Sequence, residues 1–127
     1  MMSGIVDTNI LIELYRKNAD AIAWLADQPE LGVTPISWLE FMQGAAGKQG
    51  QQRCLQILAQ FTTEHLTVSD QEWAMQQMLR LRLSHGVSRD DCLIASVCNR
   101  LRVPIFTRNV KDFTPMLSRH LVVKPYG

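Results

Sequence analysis

Five short apolar runs, near residues 4–6, 31–34, 65–68, 103–106 and 120–123, punctuate a chain whose intervening stretches are apolar at helical spacing. Short strands alternating with amphipathic helices bury their apolar faces best as a mainly parallel sheet covered on both sides. The pattern therefore predicts an α/β sandwich of roughly five strands. Two helical patterns, 10–17 and 19–27, separate the first two strands. Later helix starts are expected at Ser37 before 38-WLEFMQGAAG-47, Ser69 before 70-DQEWAMQQMLRLRLSHG-86, and Ser88 before 89-RDDCLIASVCNRLR-102. Each serine hydroxyl can accept from a free N–H of the first turn. His85-Gly86 marks the stop of the longest helix, and Gly47 and Gly50 bracket a loop before 51-QQRCLQILAQF-61.

At 127 residues and 46% hydrophobic content, residues 1–127 read as a single domain with no linker or repeat. No segment approaches the ~18 uninterrupted apolar residues of a membrane span. The start 1-MMSG-4 lacks a basic, then apolar, leader, so a cytoplasmic protein with no membrane role is expected. Cys54, Cys92 and Cys98 form no C-x-x-C pair, and His65, His85 and His120 are scattered, which argues against disulfide and zinc frameworks. A net charge of +1 gives no broad basic field, so any nucleic-acid role must rest on a site.

The segment 4-GIVDTNILIEL-14 interrupts two apolar elements with one carboxylate, Asp7. A buried, unpaired aspartate costs several kcal/mol, so this one must be solvated, paired or bound to a cation. In a right-handed crossover, strand C-termini and helix N-termini share one edge of the sheet, where open α/β folds bind ligands. Asp7 follows strand one, and Glu40 and Asp91 lie in the first turns after Ser37 and Ser88. Asp112 closes the turn 107-TRNVKDF-113, so four distant carboxylates can meet there. Like charges held together destabilise the fold unless a cation neutralises them, and oxygen-only ligands suit Mg²⁺ or Mn²⁺. Such an ion, with few carboxylates and retained waters, suits phosphodiester hydrolysis. The competing reading is structural: 37-SWLE-40 and 88-SRDD-91 match a capping box, as does 69-SDQE-72, and Asp70 and Glu72 belong to the same edge. No local cap is expected to explain Asp7.

The blocks 5-IVDTNILI-12, a glutamate on the helix after strand two, 91-DCLIASV-97 and 105-IFTRNVKDF-113 together resemble PIN-domain ribonucleases, and within them VapC-type toxins of type II toxin–antitoxin pairs. The resemblance implies a PIN-like three-layer sandwich and a divalent-metal-dependent endoribonuclease that hydrolyses RNA with a metal-activated water. The site it implies is Asp7, Glu40, Asp91 and Asp112, with Asp7 and Asp91 as direct Mg²⁺ or Mn²⁺ ligands. Glu40 would bind the ion through water or orient the attacking water, and Asp112 would complete the acidic rim. Asn9, Thr107 and Asn109 would support the carboxylates or the phosphate, with an ordinary helix N-cap the favoured role for Asn9. The implied partners are RNA, tRNA or rRNA included, a VapB-type antitoxin and a second copy in a homodimer. Asp90 leaves the third acid uncertain by one residue; Ile94, Ala95 and Cys98 follow Asp91 at inward spacing, which leaves Asp90 to solvent.

Arg16, Lys17, Arg89, Arg108 and Lys111 fall near the same edge as candidate phosphate contacts, against the plain alternative of a solvated surface. Ile12, Tyr15, Ile22, Trp24 and Leu25 on the first two helices offer core packing or, as the sharper option, an antitoxin groove. Two other functions are disfavoured, because strand one offers a single Asp7 where a receiver needs an acidic pair, and because all four motif acids are intact. A phosphoacceptor receiver domain would use Asp70 at the end of strand three, Thr107 at the end of strand four and Lys124 after strand five. A catalytically silent PIN-like binding module would need no intact acids.

Overall fold

In the computed structural model, which describes residues 2–127, five parallel strands are flanked by six α-helices. The chain runs β1 (Ile5–Val6), α1 (Thr8–Tyr15), α2 (Ala19–Ala26), β2 (Gly32–Val33), α3 (Pro35–Gln43), α4 (Gly47–Leu58) and β3 (Thr62–Thr63). It continues through α5 (Val68–His85), α6 (Arg89–Leu101), β4 (Ile105–Phe106) and β5 (Val122–Val123), with 3₁₀ turns at Val110–Asp112 and Arg119–Leu121. The sheet order is β3-β2-β1-β4-β5, and β1 registers with β4 through Ile5↔Ile105 and Val6↔Phe106. The α/β sandwich expected from the alternation is therefore present, and its sheet is wholly parallel.

The strand period of two divides the core. Ile5 and Ile105 face one cluster with Leu81 of α5 and Ile94 and Cys98 of α6. Val6 and Val33 face the other, with Leu11 and Leu14 of α1, Phe41 of α3 and Leu58 of α4. Each such side chain, when fully buried, contributes roughly 1.5–3 kcal/mol. The α5–α6 pair thus covers one face and α1–α4 the other, which leaves the strand C-termini free to form a site.

Several boundaries differ from expectation. Strand three is Thr62–Thr63, not 65–68, because Thr67 accepts from Asp70 N–H and begins α5 at Val68. Asp70 returns the bond to Thr67 N–H at 2.9 Å, so the true capping box is 67-TVSD-70 and Ser69 caps nothing. Helix α3 is capped by Thr34, with Pro35 at its first position, three residues before Ser37. Ser37 donates its N–H to Thr34, while its own buried hydroxyl lacks a partner among the described residues. Gly47 and Gly50 lie inside α4, not in a loop. Ser88 caps α6 as expected, and Gly86 ends α5 in the left-handed region at φ 66°.

Candidate active site

Asp7 occupies the turn from β1 into α1. It is the N-cap of α1, in extended backbone, and its Oδ1 accepts from Thr8 N–H at 2.8 Å. A local cap therefore does exist for this aspartate, and Asn9 is not the cap. Asn9 sits one turn-step inside the helix and bridges: its Nδ2 donates to Asp7 Oδ2 and to Thr107 Oγ1, both at 3.3 Å, and its Oδ1 accepts from Arg108 N–H at 3.2 Å. Thr107, buried at the end of β4, donates its hydroxyl to Asp7 Oδ2 at 2.8 Å and accepts from Asn109 N–H at 3.0 Å. The pairing of β1 with β4 brings these residues together across a hundred positions of sequence.

Capping does not exhaust the role of Asp7, because its carboxyl is only 7% exposed and has no cation among the bonds above. Burial raises its pKa, the hydrogen bonds from Thr107 and Thr8 oppose the rise, and the charge of Asp112 adds to it. Asp91, in the first turn of α6, is pushed up to about 7 by burial and then by the charges of Asp7, Asp112 and Glu40, against a hydrogen bond with Ser88. Asp112, exposed on its 3₁₀ turn, completes the group. The charges that raise Asp7 and Asp91 are all carboxylates, so the protein gathers negative charge here without neutralising it.

Glu40 joins this group by a different route from the one its spacing suggests. With Thr34 as cap, it lies in the second turn of α3, so a capping-box role with Ser37 is excluded. Its Oε1 accepts from the Thr8 hydroxyl at 2.8 Å, a bond between α1 and α3 that pins the two acids' supports together. Burial raises its pKa, Thr8 opposes, and the nearby carboxyls of Asp90 and Asp7 raise it further. Asp90 is thus half-buried against Glu40 and does not simply face solvent. Thr8 carries no sequence signal beyond the D-T-N run, and Asp90, assigned to solvent in favour of Asp91, meets Glu40 instead.

The basic residues divide. Arg89 is exposed, its Nε 3.6 Å from Asp90 Oδ1, and Lys111 is exposed beside Asp112. Arg108 is held: its guanidinium pairs with Glu13 at 3.5 Å and lies 4.8 Å from the ring centre of Tyr126.

Asp70 is not a strand-end acid. It sits 3% exposed inside α5 with Arg100 Nε 3.0 Å from both of its oxygens. A phosphoacceptor role is overturned by that pairing and by the strand order, which differs from the 2-1-3-4-5 order of receiver folds.

The PIN-domain family profile matches residues 4–114, a span that contains all four of these carboxylates. The chain belongs to the PIN-domain family. Among solved structures, this PIN domain is similar to a toxin–antitoxin complex from Klebsiella pneumoniae, at 29% identity and TM-score 0.76 over 98% of both chains. It superposes with TM-score 0.79 on VapBC2 from Rickettsia felis bound to a promoter DNA fragment, at 20% identity, over 97% of this chain and 98% of that one. With the sarcin-ricin loop cleaving toxin VapC20 of Mycobacterium tuberculosis it shares 16% identity and TM-score 0.75, over 92% and 98% of the two chains. No curated protein sequence matches it. The last two likenesses establish shared fold.

Among the described residues, no group of three or more carboxyl, imidazole or thiol side chains is placed so as to hold a metal ion. The donor types are nonetheless those a hard cation takes, carboxylate oxygens at Asp7, Glu40 and Asp91 whose pKa values burial raises first and neighbouring carboxylates raise further. An ion bound by few protein ligands keeps its own waters, which suits Mg²⁺ or Mn²⁺ chemistry.

Proposed function

We propose that this PIN domain is a divalent-metal-dependent endoribonuclease, the VapC-type toxin of a toxin–antitoxin pair, acting in the cytoplasm on RNA phosphodiesters. The observation that carries the reading is the un-neutralised carboxylate cluster of Asp7, Asp91, Asp112 and Glu40 at the C-terminal edge of the sheet. Membership of the PIN family supports a nuclease. Family likeness to toxin–antitoxin complexes supports the toxin role, and the loop-cleaving activity of one relative supports RNA, rRNA included, as substrate.

Asp7 and Asp91 are the residues we assign to hold Mg²⁺ or Mn²⁺, which supplies positive charge for the phosphate and lowers the pKa of a bound water. Asp7 is fixed for that role by Thr8, Asn9 and Thr107, and so presents its carboxylate with little freedom left to lose. Glu40, steadied by Thr8, accepts a proton from the attacking water. Asp112 stands at the exposed rim, and Arg89, paired with Asp90, and Lys111 are exposed where the RNA backbone would pass.

The partners we assign use two apolar surfaces. A cleft of about 340 Å³ between α1, α3 and α4, lined by Ile12, Tyr15, Phe41 and Cys54, borders Glu40 and offers an antitoxin segment a seat beside the site. Of the residues expected to line such a groove, Trp24 and Leu25 instead pack on the core and Ile22 lies exposed on α2. On the opposite side, Val68, Met75, Leu79 and Leu83 form an exposed stripe along α5, with Glu72 near its start and Arg80 and Arg82 near its end. Antiparallel pairing of two copies would cover the stripe and oppose these charges, which supports a homodimer. Leu79→Asp is expected to give monomers by light scattering.

Purified protein incubated with total RNA tests the activity. Cleavage is expected with Mg²⁺ or Mn²⁺, and not with EDTA or in Asp7→Asn. Intact RNA in the presence of either metal would sink the reading and leave a silent binding module.

A further inference from the structure

Arg108 directly follows Thr107, the residue that grips Asp7, and its own N–H is bonded to Asn9, which also touches Asp7. Its backbone thus sits beside Asp7, and a guanidinium turned toward the carboxylates would fill the metal site with the protein's own cation. It does not pair with them. Glu13, one turn beyond Asn9 on α1, takes it at 3.5 Å, and the ring of Tyr126 underlies it. Tyr126 in turn donates its hydroxyl to Glu13 and rests against Trp24, whose ring packs on Phe106 of β4. Burial and the Glu13 carboxylate keep the Tyr126 phenol protonated and so a permanent donor to Glu13.

The geometry points to Glu13 and Tyr126 as positioning residues that hold the Arg108 guanidinium out of the carboxylate cluster and at its rim, where its free N–H groups take a phosphate of the RNA. Glu13 Oε1 meets both the tyrosine hydroxyl and the guanidinium Nη1, so each of the three is placed by the other two. Arginine offers five donors and Glu13 occupies part of that fork, which leaves donors for a second anion. Tyr126 lies beyond the span matched to the PIN family, so the C-terminal tail contributes this element of the site. The phosphate contact rests on the nuclease reading; the positioning does not.

Mn²⁺ affinity by calorimetry tests the positioning without any turnover. Tyr126→Phe changes no charge, yet it is expected to weaken Mn²⁺ binding severalfold, because Arg108 is released toward the carboxylates. Glu13→Ala should weaken it more. Arg108→Ala alone should leave it near the parental value, and adding Arg108→Ala to either variant should restore it. A strictly additive pattern, with Arg108→Ala tightening Mn²⁺ as much as Glu13→Ala weakens it and Tyr126→Phe silent, would mean general charge only and overturn the proposal. Thermal melts of each variant separate loss of fold from loss of position. Binding of a labelled RNA oligonucleotide in EDTA tests the phosphate contact: Arg108→Ala should lower the salt slope by about one contact. An unchanged slope beside the expected metal pattern would remove the phosphate contact and keep the positioning. Absence of RNA binding by the parent both in EDTA and with Mn²⁺ would remove the nuclease reading itself.

Discussion

Asp7 and Asp70 are both buried aspartates at helix N-termini, each accepting a backbone N–H there, and they differ in what neutralises them. Asp70 has Arg100 Nε at 3.0 Å from both oxygens and closes a capping box, so its charge is fully answered within the protein. Asp7 has only neutral donors, Thr8, Asn9 and Thr107, and its charged neighbours are other acids. Burial alone therefore does not distinguish a functional acid from a structural one. The sign of the surrounding charge does: a paired acid stabilises the fold, whereas an unpaired cluster stores repulsion that a cation can relieve.

The sharpest way to break this contrast is to neutralise each acid in turn. Asp7→Asn is expected to lower RNA cleavage by at least about a hundredfold while leaving the metal-free melting temperature unchanged or raised. Asp70→Asn should do the reverse, costing about 3 kcal/mol of stability, since it strands Arg100 in a partly buried place. Denaturant unfolding and a cleavage assay on both proteins check the pair. Equal loss of activity in the two would dissolve the distinction.

A divalent cation should act on one site only. At about a hundred times its Kd, Mn²⁺ bound to the native state alone adds roughly 2.7 kcal/mol, a melting shift that Asp7→Asn weakens and Asp70→Asn retains. The support of Asp7 is worth less than Asp7 itself. Thr107→Val removes the 2.8 Å hydroxyl donor at nearly constant volume and should reduce cleavage roughly tenfold, with kcat as the measured quantity.

The smallest expected effect is on the pH dependence of metal-free stability. Asp91 has its folded pKa pushed up to about 7 from 3.8, so between those values the folded chain keeps a proton that the unfolded chain has released. The native state then binds more protons, and stability falls as pH rises through that window and levels above it. Asp7 and Glu40, also raised, contribute with the same sign. Melting curves from pH 4 to pH 8 in EDTA should show the decline, and saturating Mn²⁺ should flatten or reverse it by favouring the ionised carboxylates. A metal-free profile that rises with pH would contradict the un-neutralised cluster.

Much of the frame was legible in the residues. Strand–helix alternation carries the sandwich, and the D-T-N run after strand one and the T-R-N-x-x-D-F block after strand four point to an acidic edge. Two displaced helix starts share one cause, competition between neighbouring cap signals. Serine at 37 and at 69 looked like caps, but Thr34 with Pro35 and Thr67 with Asp70 start the helices earlier. The Thr-Pro step was readable, since proline favours the first helical position. The Thr67–Asp70 box was hidden because 65-HLTV-68 reads as a strand by composition alone.

The sequence by itself determined which residues bear charge and the periodicities that send them to strand ends and helix starts, because those follow from local backbone preference and apolar spacing. It did not determine which acids meet a cation. That depends on strand order and helix docking, contacts across tens of residues that local preference does not encode. Only the tertiary structure set β4 beside β1, so that Thr107 grips Asp7, and laid α6 on α5, so that Arg100 reaches Asp70. The same docking carried Tyr126 to Glu13 and Arg108. Chemically identical side chains thus became a structural pair in one place and a candidate metal centre in another.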